Sequence, residues 1–452
     1  MDILGKVLLE LTLGMRGSTS LRILREIRKV PFVSRQEILA IQFARLSSLL
    51  EMAEAHVPYY REMFQSLGIR SRDIRTLSDF ASLPVLTKAI LRERLADLVR
   101  EDIPKDKLLF GNSGGSTGVP TRFYRDHRVL HAQEAATFRN LLQSGWEPGD
   151  MMALFWGGDD QLYAMSRWKF ELRQHLRRQY QFDPFRSGPD EMDRWLDKWP
   201  KLKPRVAFGY ASTLARFAEH VLARGRRADL LGVFSTAEKL YLPQREVISK
   251  AFGCRVYDCY GSSEVMNIAA ECPSGGMHIN TDFVVLEIER TGVPAGEPAP
   301  FIVTGLWNPV MPFIRYRNED CGELLENTCD CGNQFPMMRL SIARITDNFV
   351  LPSGRVIHGE FFTHLMYGSE GIAMFQFHQT APDSITLWVV AGPGRATSRQ
   401  EAVRRAVEQV ENLDTGGIKV HVRETEAIPL SAAGKHRFTR SDVRVQPREH
   451  QR

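Results

Sequence analysis

The sequence predicts an α/β protein: a large N-terminal domain with parallel sheets flanked by helices plus a β-rich subdomain, and a small α+β C-terminal domain. Three observations carry this. Between residues 150 and 260, short apolar runs (RVAFGY, LLGVFS, CRVYDCYG) alternate with helical stretches (DEMDRWLDKWPKL, STLARFAEHVLARG, PQREVISKAFG). That rhythm belongs to a parallel sheet covered on both faces. From about residue 276 the texture changes to strands and turns (HINTDFVVLEIER, PFIVTGL, FIRYRNEDCGEL), and after residue 347 it reads strand, helix, strands, helix, strand. A chain of 452 residues exceeds the size at which one core stops growing, so two domains are expected, residues 1–346 and 347–452.

The first stretch, MDILGKVLLELTLG, is apolar but carries Asp2, Lys6 and Glu10, and it lacks a basic leader and a small-residue cleavage site. It reads as a helix able to rest on a membrane or a partner. No run reaches the ~18 apolar residues of a membrane span, so no transmembrane segment and cytoplasmic residence are expected. Residues 21 to 100 read as helices, with apolar spacing in QEILAIQFARLSSLLEMAEA and a break at HVPYY, where Pro58 cannot sit in a helix interior. HAQEAATFRNLLQSG is a helix ended by Gly145, and DMMALFWGGDD a buried strand opening into a polar turn. The composition, 43% hydrophobic and 25% charged, is that of an ordinary globular protein. Its net charge of +5 reads as spread along the chain, with RQHLRRQ (Arg173 to Gln179) and RGRR (Arg224 to Arg227) as solvated helix faces. No nucleic-acid partner is expected, because that would need a domain-wide basic stripe.

The stretch GNSGGSTGVPTRFYRD, Gly111 to Asp126, lies between two strand-like segments, KDKLLFGN and TRFYRD. A glycine-rich hairpin loop can aim its backbone N–H groups into one concavity that holds phosphate oxygens. It is not a Walker A loop, since Val119 follows Gly118 where that motif requires lysine. Ligands of parallel sheets bind at the carboxyl ends of the strands, where the rhythm puts FGYAS, FSTAEK and CYGSSE.

SGGSTGVPT (113–121), YGSSE (260–264), YRNED (316–320), ARITD (343–347) and SAAGK (431–435) occur in the order seen in the adenylate-forming enzymes. The sequence resembles their phenylacetate-coenzyme A ligase branch, which includes capsular polysaccharide biosynthesis-type proteins. The similarity runs from HVPYYR near residue 56 to GKHR at 434–437. The resemblance implies a large domain that binds ATP and a carboxylic acid, and a small C-terminal lid that moves between two poses. Ser113, Gly114, Gly115, Ser116, Thr117, Gly118 and Thr121 would grip the β- and γ-phosphates. The family usually has lysine where Val119 stands, and Arg122 or Arg125 is a candidate to replace that charge. By the same resemblance Tyr260, with Gly261, would stack near adenine, Ser262 would contact phosphate, and Glu264 would hold Mg²⁺. Thr236, Ala237 and Glu238 fall at the adenine-contacting strand end, and Asp258 precedes the YGSSE turn, where a carboxylate often caps backbone donors. Asp320 would accept both ribose hydroxyls, as an acceptor-only group can, and Arg344 would reach the ribose or the phosphates. Asp347 matches the hinge, although Ala343 and Asn348 depart from the usual pattern there. Lys435, after Gly434, matches the lysine that stabilises charge on the transferring phosphoryl group.

The six cysteines, Cys254, Cys259, Cys272, Cys321, Cys329 and Cys331, fall in one segment that also holds His278. Without a secretory signal they do not suggest a disulfide scaffold. Cys272, His278, Cys329 and Cys331 supply three thiolates and one imidazole, the ligand set of a closed structural zinc site; Cys321 is a rival ligand. The bland alternative is a set of reduced, buried small hydrophobes.

These readings converge on ATP-dependent activation of a carboxylic acid to an acyl-adenylate with pyrophosphate release, then transfer to coenzyme A with release of AMP. The cofactors expected are ATP, Mg²⁺, coenzyme A and structural Zn²⁺. Phe155, Trp156, Phe208 and Tyr210, near strand ends, favour an aryl or other apolar acid. Transfer to an amine and a non-catalytic scaffold of the same fold are the alternatives, a zinc-containing nucleic-acid binder is placed last, and a homodimer is left open.

Overall fold

The computed structural model describes residues 3–112, 122–156, 166–184, 189–290, 293, 298–326, 328–344, 349–353, 356–357, 359–366, 369–392, 394–413, 417–429 and 436–443. Its contacts divide it into two compact units, residues 1–318 with 322–339, and residues 319–321 with 340–452. The sequence reading draws the boundary at 346/347, outside the described residues.

Unit 1 opens with helices, among them Ile3–Met15, Ser20–Ile27, Arg35–His56 and Pro58–Leu67. The Arg35–His56 helix starts with a capping box in which Ser34 and Glu37 satisfy each other's backbone donors. It stops at the HVPYY break, and Pro58 begins the next helix, where its missing N–H costs nothing. A hairpin of β1 (Leu109–Asn112) and β2 (Arg122–Arg125) follows, with Asn112 opposite Arg122. Asp126 then caps the His127–Leu142 helix, its carboxylate accepting from Val129 N–H at 3.1 Å.

The central sheet has eleven strands in the order β10-β11-β12-β13-β9-β8-β7-β6-β5-β3-β4. Strands β3 (Met152–Phe155), β4 (Gln179–Phe182), β5 (Val206–Tyr210), β6 (Gly232–Thr236) and β7 (Arg255–Tyr260) are parallel, as the helix–strand rhythm requires. From β8 (Ala269–Glu271) and β9 (Met277–Ile279) the pairing turns antiparallel, with β9 against β13 (Met337–Arg344) and β10 (Val284–Ile288) against β11 (Ala299–Gly305), and β12 (Tyr316–Leu325) lies between β11 and β13. The β-rich part is thus an extension of the same sheet. One face of the parallel part packs against the helices Pro189–Leu202, Ala211–Ala223 and Leu242–Phe252. An aromatic cluster of Phe155, Phe182, Trp195, Trp199 and Phe217 fills that core, each ring contributing roughly 1.5–3 kcal/mol by burial. Phe155, read from the sequence as a wall of the acid pocket, is therefore core: it is fully buried, because its position in β3 points it to the helix-covered face.

Unit 2 contains the pair β14 (Phe349–Val350) and β15 (Val356–Ile357), then helix Gly359–Met366, β16 (Ile372–Ala381), β17 (Ser384–Ala391), helix Ala396–Glu411, β18 (Lys419–Glu424) and β19 (Thr439–Ser441). Its sheet runs β18-β17-β16-β19, around a core that includes Phe362, Phe375, Phe377, Leu387 and Val389.

One buried ion pair ties the helix after the β1–β2 hairpin to the corner between β9 and β10. Arg139 donates to Asp282 in a fork, Nη1 to Oδ2 at 2.7 Å and Nη2 to Oδ1 at 3.0 Å, and also to Asn280 Oδ1 at 2.9 Å. Asp282 is wholly buried. Asp282→Ala should lower the unfolding free energy by about 3–5 kcal/mol in urea titrations, because it leaves the guanidinium buried without its charge partner.

Candidate functional site

The parallel strands end side by side, with Tyr210 opposite Thr236 and Thr236 opposite Cys259. Trp156, Tyr210, the Thr236–Glu238 segment and the Tyr260–Glu264 turn therefore emerge along one edge, the carboxyl edge of the sheet. Trp156 packs on Tyr210 with ring centroids 4.5 Å apart and on Phe208 at 6.3 Å. These three remain together where Phe155 has turned into the core. Glu238 accepts from Ser212 N–H at 2.7 Å and so caps the start of the Ala211–Ala223 helix.

The Tyr260 turn is held from both sides. Ser262 Oγ accepts from Val265 N–H at 3.0 Å, and Ser262 N–H donates to Val265 O at 3.0 Å, which closes the turn on itself. Asn318 Nδ2 donates to Tyr260 Oη at 2.8 Å, and Tyr316 Oη donates to Glu264 at 3.3 Å. The YRNED strand thereby positions two residues of YGSSE. Neither Asn318 nor Tyr316 was singled out from the sequence, although both sit inside a motif that was. Asp258 lies one step below the turn; its N–H donates to Glu271 at 3.0 Å, and burial pushes its own pKa up to about 7. Glu271 also takes a fork from Arg245 (2.8 and 3.2 Å) and a contact from Arg255 at 3.2 Å, which marks the Asp258 surroundings as a structural charge network.

Backbone strain collects at the same places. Six non-glycine residues among those described have positive φ, and Ala237 (66°), Asn267 (55°), Arg315 (49°) and Glu319 (68°) lie in or beside FSTAEK, YGSSE and YRNED. Such conformations cost on the order of 1–3 kcal/mol each and gather where a fold holds a functional geometry.

The loop Ser113–Thr121 lies outside the described residues, as do Asp347 and Lys435 and the side chain of Arg344. The base of the loop is described. Arg122 is exposed and stacks over Phe110 at 5.7 Å. Arg125 is half-buried: Nη1 faces Met266 Sδ at 3.8 Å, just past the YGSSE turn, and Nε has no hydrogen-bond partner. Burial lowers its pKa. The hairpin thus delivers a desolvated guanidinium beside the Tyr260 turn. Asp320, on β12, is buried.

A second cluster forms where the β8–β9 hairpin meets the segment before β13. The ligand atoms of Cys272, His278, Cys329 and Cys331 lie within 4.8 Å of one another, without Cys321. Cys272 Sγ is 3.5 Å from Cys329 Sγ, and Cys331 Sγ is 3.3 Å from His278 Nε2. The thiols are unbridged. His278 Nδ1 is 2.8 Å from Phe335 O, which fixes Nδ1 as the protonated nitrogen and turns the Nε2 lone pair toward the thiols. A tight turn, Cys272 N–H to Gly276 O at 2.8 Å, folds the hairpin back.

No protein-family model matches the chain. Curated relatives do. Phenylacetate-coenzyme A ligase of Aromatoleum evansii is 25% identical over 439 residues, covering 91% of this chain and 96% of its own. The Escherichia coli phenylacetate-coenzyme A ligase is 29% identical over 314 residues (65% and 69%), and protein CapK of Staphylococcus aureus is 22% identical over 414 residues (90% of each). These relatives agree with the resemblance to the phenylacetate-coenzyme A ligase branch of the adenylate-forming enzymes. The fold agrees: 2-hydroxyisobutyryl-CoA ligase in its postadenylation state superposes with a TM-score of 0.71 at 21% identity, over 92% of this chain and 91% of that one. An anthranilate CoA ligase holding anthranoyl-AMP gives 0.50 at 13% identity, over 74% and 67%.

Gly276 is where the cysteine–histidine cluster has no room to spare. A Cβ there would stand 2.7 Å from Met337 Sδ, 3.1 Å from Cys329 Sγ and 3.3 Å from His278 Nε2. Gly276→Ala is expected to lower stability by about 1–3 kcal/mol in chemical unfolding, the usual result of overpacking.

Proposed function

We propose that the protein is an AMP-forming acid–thiol ligase, activating an aryl or other apolar carboxylic acid with ATP and passing the acyl group to coenzyme A. The observation that carries this reading is the joining of YGSSE and YRNED at the carboxyl edge of the sheet, Asn318 to Tyr260 and Tyr316 to Glu264. The relatives named phenylacetate-coenzyme A ligase support both the acid class and the thiol acceptor. Catalysis in such a reaction is mainly positioning and neutralisation of charge around phosphate. Tyr316 orients the Glu264 carboxylate, whose oxygens suit Mg²⁺; the ion would neutralise phosphate charge when ATP is bound. Asn318 fixes the Tyr260 ring, which Phe301 backs at 6.2 Å. Trp156 and Phe208, packed with the buried Tyr210, offer apolar surface for the acid. Ser113–Thr121 would hold the phosphates, Ala237 and Glu238 the adenine, and Asp320 the ribose. Lys435 would serve adenylate formation, Arg344 the ribose or phosphates, and Asp347 the hinge of a lid starting near residue 347.

The deciding experiment is acid-dependent pyrophosphate release from ATP and Mg²⁺ by the purified chain, over aryl and aliphatic acids, with and without coenzyme A. One acid class should release pyrophosphate, and coenzyme A should convert the adenylate to thioester and AMP. Silence across the panel together with no ATP binding would sink the reading; AMP release with amines alone would replace the thiol acceptor by an amine.

Arg125 supplies the cation that Val119 does not. Its guanidinium is desolvated and its Nε unpartnered beside the Tyr260 turn, whereas Arg122 is exposed and stacked on Phe110. Arg125→Met should raise the KM for ATP, or lower kcat/KM, by roughly 10²-fold, the scale of one lost charge-assisted phosphate contact. Arg122→Met should change either by less than about threefold.

The second cluster fits structural zinc. Tetrahedral Zn²⁺ with Zn–S of about 2.3 Å and Zn–N of about 2.0 Å needs ligand atoms roughly 3.5 Å apart, and the closest pairs stand at 3.5 and 3.3 Å. Its role would be to lock the β8–β9 hairpin to the segment before β13. One zinc per chain should appear in elemental analysis of the purified protein. Cys329→Ser should remove it and cost at least about 3 kcal/mol of stability, while a fully stable, zinc-free wild type would delete the site.

A further inference from the structure

The first helix, Ile3–Met15, is apolar on two sides. Gly5, Leu9, Thr12 and Leu13 are buried and seat it on unit 1. The seat is close: a Cβ on Gly149, whose φ is +105°, would lie 2.4 Å from Lys6 N and 2.8 Å from the Gly5 carbonyl carbon. The opposite side of the helix is a stripe of Ile3 (69% exposed), Leu4 (69%), Val7 (47%), Leu11 (59%) and Met15 (78%), the last four spaced three to four residues apart. A helix held this firmly does not need a second apolar face for folding, and five large apolar side chains aligned in water cost solvation free energy.

The Arg167–Arg177 helix packs against it and repeats the pattern. Phe170 and Gln174 face inward, while Trp168 (64% exposed) and Leu172 (51%) face out one turn apart. Charge accompanies the apolar surface. Residues 3–16 carry two cations and one acid, and residues 167–178 carry five cations and one acid. Each helix thus has more cations than acids along its length. Lys6, Arg16 and Lys169 are exposed, and no ion pair joins them to an acid among the described residues.

We propose that this two-helix face docks the protein on an anionic lipid bilayer. The apolar stripe would enter the headgroup–acyl boundary, Trp168 would sit at interfacial depth with its amphipathic ring, and the basic residues would meet anionic headgroups. Charge complementarity selects a bilayer over a second copy of the chain, since a self-complementary pairing would bring the two cationic surfaces together. No helix among the described residues is long and apolar enough to cross a membrane, so the association is peripheral. It is independent of the ligase reading, because the seat at Gly149 lies at the amino end of β3, away from the carboxyl edge that carries the site.

The test is co-sedimentation of the full chain with vesicles of phosphatidylcholine alone or mixed equally with phosphatidylglycerol, at low and high salt. Binding to the mixed vesicles, weakened by salt, is expected. Val7→Glu with Leu11→Glu should reduce it by about tenfold or more, and Lys6→Gln with Lys169→Gln by about fivefold per charge removed. All four positions are exposed, and matching thermal unfolding curves would show the variants folded. Wild-type protein that stays in the supernatant with mixed vesicles would overturn the proposal. So would a dimer in light scattering that Val7→Glu with Leu11→Glu converts to monomer, which would assign the stripe to a second copy.

Discussion

Parallel pairing of β3, β5, β6 and β7 is the constraint on which the rest depends. Parallel strands exchange evenly spaced backbone hydrogen bonds and must be joined by helical crossovers, so all of their carboxyl ends leave the sheet on one edge. Tyr210, Thr236 and Cys259 are brought level by register alone. The Tyr210, Thr236 and Tyr260 strand ends are carried to one edge by that geometry, and the aromatic core under Phe155 packs the strands against their helices.

The antiparallel continuation adds what the parallel strands cannot reach. Because β12 and β13 belong to the same sheet as β7, the YRNED strand can put Asn318 on Tyr260 and Tyr316 on Glu264. The backbone bears a local cost for this arrangement, with left-handed conformations at Ala237, Asn267 and Arg315. The cysteine–histidine cluster lies in the same extension, so anything that locks the β8–β9 hairpin also steadies the strands that follow the turn.

Much of this was legible before the structure. The alternation of RVAFGY, LLGVFS and CRVYDCYG with helical stretches gave the parallel strands, because burial on both faces imposes continuous apolar runs. Proline at 58 marked a helix boundary for a steric reason that needs no tertiary context. Strand β4, QYQF, was not legible: it follows a basic helix and takes its strand form from pairing with β3, a non-local contact. Phe155 and Trp156 are adjacent and equally aromatic, and nothing local distinguishes the core residue from the one on Tyr210. The difference arises from which face of β3 the helices cover.

By itself the sequence determined the element types, the glycine-rich hairpin, the order of the motifs and the cysteine–histidine set, since each depends on residue type and spacing within a short window. Only the tertiary structure decided that Arg125 rather than Arg122 is desolvated beside the Tyr260 turn, that Cys321 is left out of the thiol cluster, and that the first helix turns a second apolar stripe to solvent. These facts depend on which surfaces meet. Burial is a property of pairs of segments far apart in the chain, and no window of sequence contains both members.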